Sequence, residues 1–134
     1  MAQPQPTFTD YEPPQNCLIL TRYFYPPSER SDGDLRLQLE QADKMVSEIV
    51  VRPLQSHQRD ALLCLASDLV AGLTSSAIPF ERSFLISALN KGMFQVAAAE
   101  FNIFCYVQGR VQTRAWEKRH AEQYLFVRGR LWFD

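Results

Sequence analysis

The sequence predicts a mostly α-helical domain organised around one buried helix, and three observations carry that expectation. Residues 56–71 read Ser-His-Gln-Arg-Asp-Ala-Leu-Leu-Cys-Leu-Ala-Ser-Asp-Leu-Val-Ala, and from Ala61 onward they leave almost no polar face. A helix that is apolar nearly all round is buried rather than laid on a surface, and this one is too short and too interrupted to cross a bilayer. Four other stretches repeat apolar residues at spacings of three and four, as helices do. Gly72, Gly92 and Gly129 stand where those helices should stop, at positions suited to a left-handed terminal residue.

The elements follow in order. Residues 1–16 hold Pro4, Pro6, Pro13 and Pro14 and read as a Pro-rich arm in front of a single domain over 17–134. Residues 17–25 are β-branched and aromatic, so they are expected to form at most one short strand or a packed extended segment, stopped by Pro26-Pro27. Asp34 is expected to cap a helix to about residue 51, with Leu35, Leu39, Ala42, Met45 or Val46, and Ile49 inward and a Glu40–Lys44 pair outward. Ser56 should cap the central helix, with Asp60 favourable to its dipole. Thr74-Ser75-Ser76 is a loop. Pro79 should open a helix with Phe80, Phe84, Leu85, Ala88 and Leu89 inward. Residues 93–105 give another, with Phe94, Ala97, Ala98, Phe101 and Phe104 inward, and 106–112 are a connection. Thr113 should cap the last helix, to about residue 127, with Trp116, His120, Ala121 and Tyr124 on its buried side. Leu131-Trp132-Phe133 form an apolar tail that folds back on the core or meets a partner.

Composition narrows the function. The chain has 134 residues, 46% apolar and 22% charged, which is ordinary for one globular domain with a real core. A net charge of −1 argues against a nucleic-acid binder, whose footprint is strongly basic. Arg110, Arg114, Lys118 and Arg119, with Tyr106 and Trp116, form a basic and aromatic run, but Glu117 and Glu122 dilute it and a structural role is the expectation. Cys17, Cys64 and Cys105 have no C-x-x-C spacing and read as buried reduced thiols in a reducing compartment. Pairing Cys64 or Cys105 with His57 or His120 as a nucleophile fails because a thiol on so apolar a helix is inert. The scattered Cys and two His lack metal-ligand spacing, and there is no P-loop or G-x-G-x-x-G, so no metal or cofactor is expected. The start has no basic n-region or apolar h-region and is read as lacking a signal peptide. No membrane span is expected.

Four blocks in order carry a resemblance. Pro53-Leu54 with Gln58 and Asp60-Ala61-Leu62 resembles "PLTxxQxDALVSF". Gly72 with Ser75-Ser76 resembles "GxGAFxxSTLL". Leu89-Asn90-Lys91-Gly92 with Ala97-Ala98-Ala99-Glu100-Phe101 resembles "LNxGDYxGAAxEF". Arg119-His120-Ala121-Glu122-Gln123-Tyr124-Leu125-Phe126 resembles "RREAERALF". These are motifs of the helical lobe of phage-type lysozymes, the endolysin muramidases, and the likeness covers about residues 34–126. It implies a lysozyme-like helical domain of phage or prophage ancestry, acting in a bacterial host's cytoplasm or in a virion.

That family's catalytic lobe carries a Glu-Gly…Tyr-x-Asp…Gly-x-x-Thr-x-Gly-x-Gly pattern. Where its Gly-rich hairpin should stand, this chain reads Tyr23-Phe24-Tyr25-Pro26-Pro27. The family's cleft turn "FNxGxG" reads Ser67-Asp68-Leu69-Val70-Ala71-Gly72, and Phe104 stands at the aromatic of "EFxxW". Glycosidic hydrolysis needs two carboxyl groups flanking the bond. Asp10, Glu12, Glu29, Asp32 and Asp34 are the acids near the right place, and they read as surface, turn and cap residues. No catalytic residue is therefore assigned. The expectation is an inactive lysozyme-fold protein that binds a phage or host protein partner, peptidoglycan remaining open as a ligand and nucleic acid not expected. Tyr11, Tyr23, Phe24, Tyr25, Trp132 and Phe133 are its candidate contact residues. The alternatives are an active muramidase with a non-standard carboxylate pair in residues 10–34, and a small helical regulator or adaptor.

Overall fold

The computed structural model describes residues 13–75 and 78–133. Six α-helices follow one another: α1 (Gln15–Phe24), α2 (Asp32–Ile49), α3 (Ser56–Val70), α4 (Phe84–Asn90), α5 (Phe94–Glu100) and α6 (Thr113–Arg128). Short 3-10 turns cover Phe80–Arg82 and Phe101–Ile103, and a two-stranded hairpin pairs β1 (Tyr106–Val107) with β2 (Arg110–Val111). The mostly α architecture is the one expected. At its centre lies α3, whose residues Ala61, Leu62, Leu63, Cys64, Leu65 and Ala66 are all buried. Helices α1, α2 and α6 pack against it.

The expected strand over 17–25 is a helix instead. Pro14 precedes α1, and its carbonyl takes the N–H groups of Cys17 and Leu18 at 3.1 and 3.3 Å. Cys17, Leu20 and Thr21 recur at spacings of three and four and are all buried, while Ile19 and Tyr23 face outward. Burial of that stripe against α3 outweighs the β propensity of the individual residues, which depends on context. Residues 15 and 16, read as arm, are the first turn of α1, and the Asn16 amide bonds the Asp60 carboxylate at 3.2 Å.

Three helix caps differ from expectation by one to three residues. Ser31, not Asp34, caps α2, its hydroxyl accepting the Asp34 N–H at 3.1 Å; Asp32 and Asp34 then sit in the first turn, where the dipole favours them. Gln55 precedes α3 and Ser56 lies inside it; the Gln58 side chain reaches back to the Gln55 N–H at 2.9 Å. Gln112, not Thr113, caps α6 through its Oε1, which accepts the Ala115 N–H at 2.6 Å. Long amides do here what shorter side chains usually do. The stops are as expected: Gly72, Gly92 and Gly129 have φ of 73°, 75° and 76°.

The single helix expected from Pro79 is broken at Ser83. Its hydroxyl donates to the Phe80 carbonyl at 2.7 Å and accepts the Ile86 N–H at 3.4 Å, ending one turn and starting α4. Phe84, expected inward, is exposed. The connection at 106–112 is the β hairpin, turned by Gln108 and Gly109 with φ of 52° and 78°, the two positive values a type I′ turn requires.

Asn90 ties the end of α2 to the end of α4. Its carbonyl oxygen accepts the Val51 N–H at 2.9 Å and its amide donates to the Ile49 carbonyl at 3.0 Å. Asn90→Ala is expected to lower the unfolding free energy by about 1–3 kcal/mol, two backbone groups losing their partner at once. A urea melt reads this, and a change under about 0.5 kcal/mol would show that water replaces the amide without cost.

Candidate functional site

The last helix decides the site, and it is rotated from expectation. Ala115, Lys118, Arg119, Ala121, Glu122, Leu125 and Phe126 are buried on α6. Trp116 is 46% exposed, and His120 and Tyr124 are half-buried, so of the four residues expected inward only Ala121 is. The apolar residues of α6 alone do not define its buried stripe, because three charged residues share it.

Those charges form an ion cluster with α3 and the segment before α2. The Asp68 carboxylate meets the guanidinium of Arg30 at 2.7 Å, the ammonium of Lys118 at 3.0 Å and the guanidinium of Arg119. The Glu122 carboxylate meets Lys118 at 2.6 Å and Arg119 Nε at 2.7 Å. Backbone carbonyls complete it: Lys118 donates to Cys64 at 3.3 Å and Arg119 to Phe104 at 3.2 Å. Asp68, Lys118, Arg119 and Glu122 are fully buried and Arg30 nearly so. Burial pushes the Asp68 carboxyl up, but the three cations outweigh it and hold it well below the usual carboxylate range. Burial wins at Glu122, whose carboxyl is pushed up although Arg119 and Lys118 oppose the shift. At Lys118 burial alone would lower the pKa, and Asp68 and Glu122 raise it instead. Neither acid reaches solvent, so neither can touch a substrate. Lys118, for which a structural role is expected, is an interior counter-ion.

The aromatic residues displaced from the core line a groove of about 730 Å³ between α1, α6 and the C-terminal tail. Tyr23 and Phe24 line it from α1, Trp116, His120 and Tyr124 from α6, and Trp132 from the tail. The tail does fold back: Leu131 is buried, Phe133 stacks on Tyr23 with ring centres 4.4 Å apart, and Trp132 meets Tyr23 edge-on at 5.7 Å. On α6 the rings of Trp116 and His120 lie 3.9 Å apart. Tyr23, Trp116 and Trp132 remain about half exposed, at 55%, 46% and 49%. Exposed rings gathered in one place mark a contact surface more often than scattered ones do.

Of the six candidate contact residues, the structure brings Tyr23, Phe24, Trp132 and Phe133 together. Tyr25 is 3% exposed, covered by the Arg114 guanidinium 4.1 Å above its ring, and takes no part in the groove surface. Tyr11 lies outside the described residues. Trp116, His120 and Tyr124 were missed as contact residues; their i, i+4, i+8 spacing was visible, and it was read as a core stripe. Glu29, Asp32 and Asp34 are not among the residues that line the groove. Glu29 is held by Arg114 at 2.5 Å and Asp32 by Arg22, and Glu117 is the carboxylate among the groove's lining. Asp10 and Glu12 lie outside the described residues. A second hollow of about 650 Å³, beside Phe84 and Tyr106, likewise has one lining carboxylate, Glu100. No helix among the described residues is long and apolar enough to cross a membrane.

A helical domain with a central buried helix, a hairpin before its last helix and a glycine-punctuated series of short helices defines a lysozyme-like protein. Residues 27–122 match the family model described as Phage lysozyme, and the chain belongs to that family. A search of curated proteins finds no match. The matched span takes in the ion cluster whole. It omits α1 and the end of α6 with the tail, which supply Tyr23, Phe24, Tyr124 and Trp132 to the groove.

Proposed function

We propose that this protein is a lysozyme-fold binding protein of phage or prophage origin, a virion or host-interacting component that does not cleave peptidoglycan. The observation that carries the reading is the aromatic groove, more than half of whose lining comes from outside the residues matched to the family. Aromatic side chains are favoured interface anchors because they bury much area at little cost in conformational entropy. The chain's acids support the same reading. Hydrolysis needs one carboxyl kept protonated and a second ionised on the other side of the bond. Among the described residues, Asp68 and Glu122 are interior and ion-paired, Asp60 is half-buried with its carboxyl raised by burial and bonded by the Asn16 amide, and each hollow presents one lining carboxylate.

The test is release of soluble muropeptides from purified peptidoglycan, with a phage endolysin as positive control. The expected result is no release by folded protein at high concentration. Release that Glu12→Gln or Glu29→Gln abolishes would overturn the proposal and establish an active muramidase. The same preparation reads the groove. The chain has two tryptophans, and both line it, so intrinsic fluorescence reports groove occupancy directly. Titration with purified virion proteins is expected to shift that emission for the unsubstituted chain and not for Tyr23→Ala.

A further inference from the structure

We propose that the aromatic groove is the interface of a homodimer, filled by α6 of a second copy of this chain lying antiparallel to the first. The proposal takes from the reading above only that the groove is a contact surface, and it names what fills it. The side of α6 that lines the groove carries Glu117, Ala121, Tyr124 and Arg128. Their spacings are four, three and four, the pattern by which one helix receives another along its length. The order along this stripe is acid, small, large, base. Read from the other end, the spacing is unchanged and each side chain is exchanged for its complement.

The midpoint between Glu117 and Arg128 falls between residues 122 and 123, and so does the midpoint between Ala121 and Tyr124. A two-fold axis through that point, perpendicular to the helix, therefore matches both pairs at once. Glu117 of each copy meets Arg128 of the other. The Tyr124 ring of each lies over Ala121 of the other, where the smallest side chain of the stripe leaves room. A closed two-fold interface needs such a self-complementary patch, in which one residue meets a second and the second meets the first.

Charge fixes the direction. At 1.5 Å per residue, roughly 16 Å of helix separates Glu117 from Arg128. A parallel pairing would set acid on acid and base on base. The antiparallel pairing neutralises both ends and opposes the two helix dipoles. Glu117 and Arg128 are exposed, and neither is ion-paired to a described residue of its own copy. Trp116 and Val127 stand exposed beside the two ends of the stripe and gain cover in the same arrangement.

Sedimentation of the full chain over a range of concentrations tests this, with tryptophan emission as a second readout, since Trp116 and Trp132 both line the groove. The expected result is a reversible monomer–dimer equilibrium whose emission shifts as the dimer dissociates on dilution. Glu117→Arg alone and Arg128→Glu alone should each weaken association about tenfold or more, because like charges then face each other twice. Mixing the two single variants should restore it, because every facing pair in the mixed dimer is again opposite in charge. Both positions are exposed, so each variant should stay folded, which circular dichroism checks. A chain that stays monomeric up to its solubility limit would overturn the proposal. So would a dimer that the single variants leave intact, or one that mixing them does not restore. A monomeric chain whose emission still shifts with purified virion proteins would refute the dimer and leave the binding reading standing. A dimer of the expected kind, whose dissociated copies do not respond to virion proteins, would refute that reading and leave the dimer.

Discussion

Asp68→Asn is expected to lower the unfolding free energy by about 3–5 kcal/mol, the range for removing one partner from a buried ion pair. The carboxylate is fully buried and faces Arg30, Lys118 and Arg119, so an amide there leaves three interior cations with Glu122 as counter-charge. Adding Lys118→Met should restore part of the loss, because the pair of changes leaves the cluster's net charge as it was; residues in one network couple strongly. A double-mutant cycle from urea melts measures this. Additive losses would show that the two groups do not act as one network.

The same cluster fixes two pH dependences of opposite sign. Asp68 has its folded pKa depressed, so its stabilising contribution is present above the unfolded value of about 4 and is lost as pH falls through the lower folded value. Glu122 has its folded pKa raised, so over the window just above the usual carboxyl range the folded state holds a proton that the unfolded state has released. Stability due to Glu122 therefore declines as pH rises through that window. Melting temperature measured from about pH 3 to 8 should show Glu122→Gln flattening the upper decline and Asp68→Asn flattening the acid limb. A Glu122→Gln profile parallel to that of the unsubstituted chain would refute the assignment.

Phe104→Ala is expected to cost about 3–5 kcal/mol, the range for truncating a fully buried phenylalanine. Phe104 is completely buried, packs edge-on against Phe80 with ring centres 5.6 Å apart, and accepts the Arg119 guanidinium on its carbonyl. Its ring belongs to the apolar core, while the contact with Arg119 is made by its backbone carbonyl, which Phe104→Ala keeps. The loss should exceed that of Phe80→Ala, whose ring is 7% exposed and leaves a cavity that opens to solvent. Thermal or urea melts of the two variants decide it. Equal losses would mean that the fuller burial of Phe104 carries no extra stability.

Much of the fold was legible because its signals are local. The central helix was readable from its own residues: a run from Ala61 to Ala66 with no polar face has no arrangement but burial. The helix stops were readable from glycines whose positive φ the sequence context demands. The family blocks were readable because they repeat side chains the fold needs, such as the Asn90 amide that ties two helix ends.

What the sequence could not settle depended on which residues meet across the chain. The segment over 17–25 has β-forming residues, yet it is a helix because α3 offers a surface to the stripe of Cys17, Leu20 and Thr21. Lys118, Arg119 and Glu122 look like a solvent face, and they are interior because Asp68 and Arg30, far along the chain, bring the opposite charges. Burying those three turned Trp116, His120 and Tyr124 outward, toward Tyr23 and the folded-back tail. The sequence by itself determined the helical class, the central helix and the family. Tertiary structure alone decided the rotation of α6, and with it the groove, because a buried charge is tolerable only where its partner is already in place.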